Sequence, residues 1–251
     1  MSEITPAPSP EPITPEKPGG FLQNLIDVYF APREALGRIV SRPTWVVPVI
    51  GATVLALAFT GIWLNRMEPR EFMKTQLQES GQWDKLSAEQ RENILEQQAK
   101  FMPMFAWPAA LLGTILTILV VAAALLFIYR FFYAGEVGFK QAVSITSWSM
   151  FAVSLVTTPL SLVVMALKED WNLNPQEVLQ ANLALLLDKA ETAKPLWALA
   201  TSLDLVSFWL MFLLASGFGV AIKKTTGSAL WGVVIPWAII VAVKVAWNAM
   251  F

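Results

Sequence analysis

Long apolar runs separated by polar stretches dominate this chain, and the runs are too long for a soluble core. Five of them, at about 45–64, 104–129, 139–167, 196–222 and 229–251, suffice as helices, at about 1.5 Å per residue, to cross a hydrocarbon layer of about 30 Å. They are continuous and do not alternate residue by residue, which excludes a transmembrane β-barrel. The pattern predicts an all-α, polytopic integral membrane protein with five transmembrane helices. Tryptophans at 45, 63 and 107 fall where helix ends meet a membrane interface.

The polar stretches predict their own elements. In residues 21–42, Leu22, Leu25, Ile26, Tyr29 and Phe30 form an apolar stripe opposite Asp27, Arg33, Glu34 and Arg38, the pattern of an interfacial amphipathic helix, broken at Ala31–Pro32. In the connection 67–102, Ser87 and Gln90 make a capping-box pattern ahead of AEQRENILEQQAKFM, which predicts a separate polar helix before the second span. In the connection 168–195, Asn174-Pro175 is a helix start before VLQANLALLLDKA. Residues 1–20 are Pro-rich with little to bury, so a disordered cytosolic tail is expected. They lack a basic segment followed by an apolar core, so the first span is expected to do the targeting.

Composition narrows the function. Of 251 residues 55% are hydrophobic and 15% charged, and there is no cysteine or histidine. Disulfides, thiolate chemistry, histidine-based metal or haem sites and Ser–His or Cys–His pairs are therefore excluded. A net charge of −1 gives no footprint for nucleic acid. One carboxylate, Asp204, falls within the spans, so a facing pair for an aspartyl protease is missing, as are phosphate-binding glycine motifs. The reading is a protein without catalytic, cofactor or metal residues.

Asp204 and Lys244 are the charges that fall inside spans. Ionisable groups there mark functional sites by default. Asp204 lies 19 residues before Lys223 and Lys244 lies 17 after Gly227, so antiparallel helices place both at similar depth, roughly 28 and 26 Å from the shared turn. An ion pair is expected. A transporter for a small solute or ion would use that pair with the hydroxyl-rich third span; an adaptor would use it as architecture. Basic residues concentrate in the short turns Arg130–Lys140 and Lys223–Lys224, which favours a cytoplasmic N-terminus and an outside C-terminus.

Several short pieces together resemble a known family. Asp27-Val28-Tyr29 with Pro32 precede Arg42-Pro43-Thr44-Trp45; Gly138-Phe139-Lys140-Gln141-Ala142 enters the third span, and Leu203-Asp204-Leu205-Val206-Ser207-Phe208-Trp209 the fourth. This is similar to the YIP family, the Ypt/Rab-GTPase-interacting membrane proteins, in its bacterial form. The resemblance implies a bacterial inner-membrane protein with five spans, a cytosolic N-terminus and no catalytic activity. It marks Asp27, Tyr29, Pro32, Pro43, Trp45, Asp204 and Trp209 as motif positions. Eukaryotic members bind prenylated small GTPases. Here DVYFAP only approximates their Asp-Leu-Tyr-Gly-Pro motif and their Gly-Tyr-Ser-Leu motif has no clear match, so small-GTPase binding is not carried over. The expected partners are the lipid bilayer and other membrane or cytosolic proteins reached through the N-terminal tail. The implied role is a membrane organiser or adaptor.

Overall fold

The computed structural model describes residues 20–175, 177–179, 181–188 and 191–250; the tail expected to be disordered lies, Gly20 apart, outside them. The described residues are helical, with one isolated β-bridge between Asn182 and Asp204. Four helices are long and apolar enough to cross a membrane: α3 (Val46–Leu64), α5 (Ala88–Phe131), α6 (Phe139–Leu167) and α9 (Thr226–Met250).

Two short helices precede them, α1 (Phe21–Phe30) and α2 (Pro32–Ser41). Proline at the first position of α2 gives up a donor that a helix start leaves unpaired anyway. Both helices pack against α6 and α8 (Leu205–Ala221). Val28, Leu36 and Ile39 are buried there with Trp148 and Leu213. The end of the bundle that carries α2, the start of α6 and the end of α8 is called proximal below, the opposite end distal.

The main core lies between α3, α5, α6, α8 and α9. Tyr129 stacks on Phe218 with ring centroids 4.6 Å apart, and its hydroxyl donates to the Ala229 carbonyl at 2.6 Å. Most hydroxyls of α6 do not bridge helices. Ser144, Ser154 and Thr157 donate to carbonyls four residues back in α6 itself, at 2.8, 2.8 and 3.1 Å.

Three expectations are corrected. The polar helix and the second span are one helix, α5, of 44 residues, roughly 66 Å long. The Ser87 hydroxyl and Gln90 side chain do form the capping box. Pro103 and Pro108 then each remove one backbone donor without ending a helix whose other bonds hold. α4 (Pro69–Glu79) lies against the polar half of α5, where Arg70 pairs with Glu92.

The fourth span is not one helix over 196–222. It is α7 (Lys194–Ser202) followed by α8, with the break at Leu203–Asp204. The Asp204 carboxylate caps α8 by accepting from the Ser207 amide at 2.8 Å, the arrangement aspartate prefers to a helix interior. The Leu205 amide donates at 3.0 Å to the Ala181 carbonyl, which satisfies a backbone group that the break frees. The connection that supplies Ala181 is the third correction. Its described residues form a single-turn 3₁₀ helix at Leu183–Leu186 instead of the expected α-helix. Asn182 caps that turn through its side-chain oxygen and bridges to Asp204, an extended backbone incompatible with a continuing helix.

Candidate functional site

Two places gather polar groups that a lipid-facing bundle would not need. The first is the proximal junction. Asp27 of α1 pairs with Arg38 of α2, and the Arg38 Nε donates to the Asn24 side-chain oxygen at 3.1 Å. The Tyr29 hydroxyl donates to the Ala152 carbonyl at 2.7 Å, and its ring packs on Trp209 with centroids 5.9 Å apart. Burial raises the pKa of that phenol, so it stays protonated as a donor at neutral pH. Further bonds fasten the unit. Gln141 donates to the Val40 carbonyl at 3.1 Å, Trp148 Nε1 to the Thr44 carbonyl at 2.7 Å, and Arg33 to the Lys224 carbonyl at 2.9 Å. Of the motif positions Tyr29 and Trp209 thus meet, Asp27 pairs with Arg38 and Pro32 opens α2, whereas Pro43 and Trp45 stay exposed ahead of α3.

The second place is the break. Asp204 accepts a further bond from the Ser207 hydroxyl at 3.1 Å, through the same Oδ2. Lys244 reaches this depth on α9, but its ammonium donates to the Thr201 and Ser202 hydroxyls, each at 3.2 Å. The expected Asp204–Lys244 ion pair is not formed. The break turns the carboxylate onto its own helix start and leaves the lysine facing the end of α7.

Asp204 lines a polar cavity of about 340 Å³ with Thr157, Ser161, Asn182, Thr201 and Ser207. Thr157, Leu179 and Val206 also line an adjoining apolar groove of about 600 Å³ that includes Trp209 and Lys168. No cluster of three or more acidic side chains suited to a metal occurs among the described residues.

Arg38 and Gln141 were legible only as a polar-face residue and a motif position, without their partners, and nothing singled out Trp148, Ser161 or Asn182. The one available signal was the Asp204-x-x-Ser207 spacing, which suits a helix start inside an apolar run.

The family model for the Yip1 domain matches residues 26–247, nearly the whole chain. No curated protein and no solved structure matches it.

Proposed function

The chain belongs to the Yip1 domain family, and we propose that it is a non-enzymatic membrane organiser or adaptor of a bacterial inner membrane, with the proximal end and N-terminus cytoplasmic and the C-terminus outside. The observation that carries this reading is the free face of α1. Asn24 and Val28 turn inward, while Leu22, Ile26 and Phe30, spaced four residues apart, turn outward, Phe30 being 85% exposed. Each such side chain gains about 1.5–3 kcal/mol on full burial in an apolar medium, so the face belongs in lipid. Because the junction fastens α1 to α6 and α8, insertion would displace lipid from one leaflet only, as a wedge. The tail 1–20 would recruit partner proteins; small-GTPase binding is no part of the proposal.

The test is reconstitution into vesicles of mixed diameter. Wild-type chain should concentrate on the smallest vesicles, and a Leu22→Ser, Ile26→Ser, Phe30→Ser variant should distribute evenly. Even distribution of both would remove the organiser reading. The break and its polar cavity favour a second reading, a small-solute or ion transporter using Asp204 and Lys244. Solute flux that Asp204→Asn abolishes would select it.

A further inference from the structure

The polar cavity at the α7–α8 break and the apolar groove beside it are contiguous, and the organiser role uses neither. We propose that together they bind one phospholipid with a primary-amine headgroup: the amine in the cavity, the phosphate toward Lys168, and an acyl chain along the groove past Leu160 and Trp209. The proposal is independent of the wedge.

The cavity carries unused acceptors. Asp204 spends Oδ2 on Ser207, and its Oδ1 meets no donor among the described residues. The Ser161 hydroxyl, on a residue only 7% exposed, lines the cavity and has no hydrogen-bond partner among the described residues. Thr157 gives its proton to the Val153 carbonyl and keeps free lone pairs. These are three acceptors, one of them charged, for the three N–H donors of a primary ammonium. A trimethylammonium has no such donors and is held by aromatic faces, and none of the described cavity-lining residues is aromatic.

Charge order selects the rest of the headgroup. Among the described lining residues, Asp204 is the charged one of the cavity and Lys168 that of the groove. An anionic headgroup in the cavity would meet a carboxylate. A zwitterion with its amine inside and its phosphate toward Lys168 meets the opposite charge at both places.

Depth agrees. A Cβ at Gly217 would lie against Ile145, and antiparallel α6 and α8 in that register put Asp204 level with about residue 158 of α6. Lys168 follows Ser161 by seven residues, roughly 10 Å. The lysine stem and the two carbons and one oxygen between an ethanolamine nitrogen and its phosphorus divide that distance.

The test uses the full-length chain, delipidated in mild detergent, and native mass spectrometry with a thermal melt. The probes are phosphatidylethanolamine, phosphatidylcholine, phosphatidylglycerol and glycerophosphoethanolamine. One phosphatidylethanolamine per chain should be retained and should raise the Tm, with the choline and glycerol lipids about tenfold weaker, the loss of one charge-assisted hydrogen bond or more. Asp204→Asn keeps a good cap and should weaken retention about tenfold with little change in the lipid-free Tm. Should that variant fail to fold, Ser161→Leu, which fills the cavity, should give the same loss. Equal retention of the three lipids, or unchanged retention in a folded variant, would overturn the proposal. Competition by glycerophosphoethanolamine as strong as by the lipid would also overturn it, in favour of a soluble amine.

Discussion

Gly217→Ala adds a single methyl group where α8 crosses α6 and should destabilise the bundle. The new Cβ would stand 2.4 Å from Ile145 Cγ2 and 3.1 Å from its Cγ1, against an ordinary carbon–carbon contact of about 3.5 Å or more. Ile145 is fully buried in the main core, so it cannot step aside without moving its neighbours. Two effects compete. Alanine is better than glycine in a helix by about 0.8–1 kcal/mol, whereas an extra methyl in a packed core costs about 1–3 kcal/mol. Forfeiting about 1 Å of separation to a buried β-branched side chain belongs to the upper half of that range, so the expected net loss is about 1–2 kcal/mol, a factor of about 5–30 in the folded fraction. Ile145→Ala alone costs about 2–5 kcal/mol through the cavity it leaves. In that background the Gly217→Ala methyl enters vacated space, and the penalty should vanish or reverse. Equilibrium unfolding in detergent, followed by tryptophan fluorescence, gives all four corners of the cycle. A Gly217→Ala protein as stable as wild type, or one equally damaged in both backgrounds, would refute the reasoning.

Asp204→Ala should cost about 1 kcal/mol as a lost N-cap and Asp204→Asn far less. Lys244→Met should lose the same amount in the wild-type and Asp204→Asn backgrounds, and coupling above about 1 kcal/mol in melting curves would restore the ion pair. The Arg70 hydrogen bond holds the Glu92 carboxyl below its usual pKa. That contribution is therefore present above the ordinary carboxylate range and lost as pH falls through the lowered value, so amide protection factors in α4, with the intrinsic pH dependence of exchange divided out, should fall on acidification and Glu92→Gln should flatten the response. Trp209→Leu removes a ring that both packs on Tyr29 and lines the groove; it should quicken exchange in α1 and weaken phospholipid retention together, and a change in only one would separate the two places. In mild detergent, a partner co-purifying with the full chain should disappear when residues 1–20 are removed; one that persists would move recruitment off the tail.

What the sequence made legible is what hydropathy and local chemistry control. The apolar runs behind α3, α6 and α9 need no partner to be recognised, because a bilayer demands the same length of any helix. The Ser87 cap is likewise a local event, complete within four residues. The break at Leu203–Asp204 is different, since the apolar run passes through it unbroken. What accompanies the break is an amide–carbonyl bond from Leu205 to Ala181, 24 residues away, beside an extended backbone at Asn182. The same fold-back brings Asn182 to Ser161 and Thr157 at one cavity, a neighbourhood no helical period records. Arg38 was hidden for a related reason: it meets Asp27 across the turn at Ala31, eleven residues on, a spacing set by the α1–α2 hairpin and by no single helix.

The depth of Asp204 was therefore readable while its partner was not, and the difference changes what the residue does. A carboxylate paired with Lys244 would be neutralised and closed, with both charges spent on holding α7, α8 and α9 together. As a cap, Asp204 is stabilised from one side by the Ser207 amide, its hydroxyl and the positive start of α8, and the residue also lines a cavity. Lys244 does its holding elsewhere, on two hydroxyls of α7. Breaking the span thus separates two duties that one ion pair would have merged: the lysine ties helices, and the carboxylate remains available at membrane depth. A helix that merely needed to cross the bilayer would gain nothing from that separation, since an apolar residue at position 204 would continue the span at lower cost.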